Sequence, residues 1–184
     1  MVIFFIRLTL EKNEDALKKQ SDIYKTMAEK YYEVLNWLYG LNDKDIENGL
    51  HEGMNKFLSN LYLSFFNKNK LFACEYISEK ALKLVKSNKK QSLKGTIFEH
   101  MVPKSAYIQK VSEEKAKKGI LKQKNVEQLL KKYFHCALIT ADEDKKLMKN
   151  KMPDDWDKND VFARYYIASI SLIKNPYFGK KSEK

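Results

Sequence analysis

In the stretch "TIFEHMVP", residues 96–103, a short β-prone run delivers a carboxylate and an imidazole side by side just ahead of a proline. The residue before a proline is biased to extended backbone, so His100 is expected near the end of a strand. An imidazole titrates near neutrality and can take a proton from water, while a carboxylate such as Glu99 is a hard oxygen donor for a hard cation. The bland alternative is a histidine whose ring nitrogens only satisfy the strand end. A second β-prone run, "FHCALIT", leads into Thr140, Ala141, Asp142 and Glu143, a capping box in which the threonine caps a helix and Glu143 reaches back. The helix would carry Asp142, Asp144, Lys145 and Lys146. Acids in a first helical turn also favour the macrodipole without any metal.

Helices are expected to hold these strands. Leu17, Tyr24, Met27, Tyr31, Val34, Leu35 and Leu38 recur at helical spacing up to Gly40, and Ile46, Leu50, Met54, Phe57, Leu61, Tyr62 and Phe65 form a second stripe. A third stripe runs through Leu71, Cys74, Ile77, Ala81 and Leu84. The basic, polar "KLVKSNKKQSLKG" reads as a connection and places a boundary between a helical region, 1–90, and a chemical one, 91–184. Near the end of the chain, Asn159 or Asp160 is placed to cap a helix through Val161, Phe162, Tyr165, Tyr166, Ile170 and Ile173. Trp156 is expected to anchor the turn before it. Arg164 is placed either to clamp a phosphate or to pair with Asp157 or Asp160. His51 and His135 have no ligand partners at metal-site spacing.

Charge is distributed unevenly. Of a net +11, residues 1–80 carry −1 and residues 81–184 carry +12. Lysines in such excess suit an anionic partner, most simply nucleic acid, because phosphate neutralisation releases counterions; solvated surface charge is the competing reading. Cys74 and Cys136 form no CxxC pair, which fits a reduced, cytoplasmic setting. The apolar opening "MVIFFIRLTL" lacks a basic lead and is too short for a membrane span, so it is expected to be a buried strand or helix lead-in.

Glu99-His100-Met101-Val102-Pro103-Lys104-Ser105, followed by Ala137-Leu138-Ile139-Thr140 and "ADEDKKL", resembles the HNH, or ββα-metal, endonucleases, most of all the HNH domain of RNA-guided CRISPR nucleases. The likeness spans about residues 96–153. Here Glu99 stands where that family usually has Asp, and Asp144 where it usually has Asn or His. The resemblance implies an α+β, mostly helical fold in which a small ββα site is packed among helices. It implies a metal-dependent endonuclease with His100 as general base and a single Mg²⁺ or Mn²⁺ held by Glu99 and Asp144, with Asp142 as a further candidate. Lys89, Lys90, Lys94, Lys104, Lys145 and Arg164 are the candidates for contacting nucleic acid. The alternative is a non-catalytic nucleic-acid- or partner-binding protein with a basic C-terminal half. No membrane association is expected, and the N-terminal helices offer a face for a homodimer.

Overall fold

Strand β3, Cys136–Thr140, is buried along nearly its whole length, as its uninterrupted "CALI" implies. In the computed structural model, which describes residues 2–88 and 92–180 and the side chains of the first helix from Lys18 onward, the other elements are arranged around that strand. They run α1 (Val2–Gly40), α2 (Lys44–Ser64), α3 (Lys70–Ala73), β1 (Tyr76–Ser78), α4 (Glu79–Ser87) and β2 (Thr96–His100). A π-helical turn, Ser105–Gln109, then leads into α5 (Lys110–Lys117) and α6 (Gln123–Tyr133). After β3 come α7 (Ala141–Asp144), α8 (Ala163–Ile167) and β4 (Leu172–Lys174). The mostly helical α+β architecture is the one expected.

The four strands lie in the order β2-β3-β1-β4, with β1 parallel to β3 and the outer pairs antiparallel. β1 comes from before the basic connection and sits between two strands from after it. Alternation divides the strands between two cores. Ile77, Cys136 and Leu138 join Phe98 and Ile173 against the large helical core, where Tyr24, Tyr31, Tyr62 and Phe134 are buried. Ala137 and Ile139 point the other way, with Tyr76, Ile97 and Leu172, onto Tyr165 and Ile170.

Two helical stripes are corrected. The third breaks into α3, β1 and α4, because Ile77 is taken up by a strand paired on both sides. The C-terminal stripe yields only the short α8: Ser169 adopts a positive φ of 53°, turning the chain into β4, so Ile173 belongs to the sheet. The side chains of the opening "MVIFFIRLTL" lie outside the described residues. Among the described residues no helix is long and apolar enough to cross a membrane.

Gly95 starts β2. Its φ of +82° calls for glycine, and a Cβ there would meet Leu84 Cδ2 at 3.3 Å, close enough that the leucine would have to shift slightly. Its carbonyl accepts from Ala141 N at 3.0 Å, tying the start of β2 to the start of α7.

Candidate nucleic-acid interface

β2 pairs antiparallel with β3, setting Glu99 opposite Ala137 and His100 opposite Cys136, and α7 follows β3 directly. The order strand, strand, helix is therefore present. The expected convergence of Glu99 and His100 is not. His100 is the last residue of β2, at the strand's end as expected, and Met101 N donates to His135 O at 2.8 Å just beyond it. Consecutive strand residues point to opposite faces, so the carboxylate and the imidazole are turned apart.

His100 faces the helical core. Its Nε2 is 2.9 Å from Ser59 Oγ on α2, its Nδ1 is 3.6 Å from Cys136 Sγ, and its ring meets Phe98 and Phe134 edge-on. It is only half-buried by area but closely ringed by protein. Burial, reinforced by the Lys104 and Arg164 cations, lowers its pKa to about 3. The ring is thus neutral at physiological pH and a much weaker base than free imidazole.

Glu99 faces the other core and is taken by Arg164. The guanidinium is fully buried, 2.7 Å from Glu99 Oε1, and also donates to the carbonyls of His100, Met101 and Met148. Arg164 therefore pairs with neither Asp157 nor Asp160, and it is closed to a phosphate. Burial pushes the Glu99 carboxyl up; the nearby Asp144 carboxylate adds to this while Arg164 and Lys149 oppose it. Asp144 is itself held by Lys149, Nζ to Oδ2 2.5 Å. Asp142 lies apart on the exposed side of α7 with Lys145, at 2.8 Å.

The donor set does not fit a divalent ion. Arg164 supplies the positive charge between Glu99 and the strand-end carbonyls, and the described residues contain no group of three or more His, Cys, Asp or Glu side chains able to hold a metal. A fixed guanidinium stands where the resemblance implies a cation.

The candidate phosphate ligands divide by accessibility. Lys89 and Lys90 lie outside the described residues. Lys94 is exposed at the entrance to β2. Lys104 is partly buried, donating to Asn55 O and to Gln109 Oε1, and burial lowers its pKa. Lys145 is exposed but shared with Asp142.

A denser basic surface lies on the α5–α6 segment, whose two helices both pack on α1. Between Lys110 and Lys132 there are eight lysines and three glutamates, and most of the lysines are exposed. Lys131 pairs with Glu127 at 2.7 Å, and Lys117 and Lys132 lie over the rings of Tyr39 and Tyr133. Lys110, Lys118, Lys122 and Lys124 have no acidic partner among the described residues. Val126, Leu130 and Tyr133 bury the inner face of α6, and α1 packs against it, so helical period turns the lysines outward.

Sequence reasoning missed three polar links. Ser59 as the partner of His100 had no signal, being 41 residues distant. Glu75 is buried, 3.0 Å from His135 Nδ1, with the Tyr24 hydroxyl at 3.4 Å. Glu143 completes its capping box and also accepts from Ser78 Oγ at 2.6 Å, joining β1 to the β3–α7 corner. Trp156 anchors its turn as expected, Nε1 donating to Asp160 O at 2.7 Å.

Searched against models of known protein families, against curated proteins and against solved structures, the chain gives no significant match.

Proposed function

We propose that the protein binds nucleic acid through the basic surface of the α5–α6 segment, and that Glu99, His100 and Arg164 serve the architecture of the sheet. The observation that carries this reading is the set of exposed lysines without acidic partners, Lys110, Lys118, Lys122 and Lys124, on two helices packed against α1 and on the connection between them. Phosphates meet such lysines without reading sequence, and each contact releases counterions.

A second reading, metal-dependent endonuclease, is favoured by one observation: β2 pairs with β3 and α7 follows β3 directly, the strand, strand, helix order of the HNH resemblance, although α5 and α6 intervene between the two strands. The present placement of Glu99 and His100 does not assemble its site.

One experiment separates the two. Supercoiled DNA, single-stranded DNA and RNA are each incubated with the protein in Mg²⁺ or Mn²⁺ and resolved on native and denaturing gels. The binding reading predicts retarded but intact strands. Cleavage lost in His100→Ala would establish the second reading in its place.

A further inference from the structure

Glu75 and His135 stand at the starts of the two parallel strands, one residue before β1 and one before β3. The Glu75 carboxylate is buried, and its two oxygens lie 3.2 and 3.0 Å from His135 Nδ1. It is held in place in turn: Asn175 N donates to Glu75 O at 2.9 Å, and the Tyr24 hydroxyl, which donates to Phe134 O and accepts from Gln20 Nε2 at 2.9 Å, lies 3.4 Å from Oε1. A carboxylate only accepts, so Nδ1 carries the proton, and in the neutral ring the lone pair is left on Nε2. The His135 side chain is 23% exposed, and its Nε2 is neither hydrogen-bonded nor buried among the described residues. The other two histidines differ. His100 has both ring nitrogens engaged, by Ser59 and Cys136, and His51 is exposed on α2 with no carboxylate to fix its tautomer.

We infer that His135 Nε2 is a phosphoryl-acceptor site. Its lone pair attacks the phosphorus of a phosphoramidate-type donor already protonated on nitrogen; the Nε2–P bond forms, the P–N bond breaks and ammonia leaves with the bonding electrons. The ring becomes an imidazolium with the phosphoryl group on Nε2 and the proton still on Nδ1. That new positive charge faces the Glu75 carboxylate across 3.0 Å, so Glu75 is a positioning residue that also stabilises the charge as it develops. Local charge selects an anionic electrophile over a neutral one. Lys132 is exposed, has no acidic partner among the described residues and precedes His135 by three positions, at the end of a segment with eight lysines and three glutamates.

Incubation of the full chain with potassium phosphoramidate, without nucleic acid, tests the inference independently of the binding function. Peptide mass spectrometry follows the label at each histidine, and phosphorus NMR assigns the ring nitrogen. Label is expected on Nε2 of His135 at least about tenfold faster than on His51 of the same molecule, with none on His100 while the chain is folded. Glu75→Gln leaves an oxygen for Nδ1–H but removes the charge, and is expected to abolish most of that advantage; Glu75→Asp, which keeps the charge, should retain more of it. Label on His100 would reveal a variant that has unfolded, and the wild-type ratio then decides by itself. Equal rates at His135 and His51, label on Nδ1, or an advantage that Glu75→Gln leaves intact in folded protein overturns the inference.

Discussion

Glu99 and His100 are neighbours in the chain with opposite surroundings: the carboxylate meets Arg164 at 2.7 Å on one face of β2, and the imidazole meets Ser59 at 2.9 Å on the other. The pair therefore fastens the two faces of the strand to different elements, Glu99 to α8 and His100 to α2. Its first duty is to hold the sheet between its two cores.

Removing one partner of the Glu99–Arg164 pair leaves the other buried and uncompensated. Arg164→Met also unpairs three backbone carbonyls, so it is expected to cost about 3–5 kcal/mol, measured as a shift in the urea midpoint. Glu99→Gln keeps an oxygen for the guanidinium and is expected to cost less. Equal losses in the two variants would show that the guanidinium's other contacts contribute little.

The lowered pKa of His100 makes stability depend on pH. The unfolded chain binds a proton at this position below the ordinary value of 6.5, and the folded protein resists it down to about 3. The stabilisation is thus fully present above pH 6.5 and is lost as pH falls toward 3, with a slope of up to about 1.4 kcal/mol per pH unit. Denaturant titrations of wild type and His100→Gln across this window check it. The variant should show the shallower dependence, and matching curves would remove His100 as its source.

Gly95→Ala is expected to destabilise the fold by about 1–2 kcal/mol, because φ there is +82° and Leu84 leaves little room. Thermal melting gives the value. No change would mean that the connection into β2 relaxes freely.

Strands β2 and β3, the capping box at Thr140, the end of α1 at Gly40 and the turn at Trp156 were legible because each depends on local pattern. Ile77 was misread because Leu71, Cys74, Ile77 and Ala81 fit a helix by spacing, and only pairing with β3 and β4, residues far along the chain, makes it a strand. Arg164 was misassigned for the same reason: Asp157 and Asp160 are near in sequence, while Glu99 lies 65 residues away. The Glu-His motif was read as a site at a strand's end. In the structure His100 is indeed the last residue of β2, but the pleat of a paired strand separates the two side chains.

The account rests on the α5–α6 lysines as a phosphate surface, and fluorescence anisotropy with a labelled DNA duplex over a range of salt tests that most directly. Wild type should bind at low salt and lose about 0.9 log unit of affinity per log unit of salt for each phosphate neutralised. The triple variant Lys118→Gln, Lys122→Gln, Lys124→Gln should bind more weakly and show a slope shallower by about 2.7. Absence of binding at low salt, or a slope that the three substitutions leave unchanged, would contradict the account.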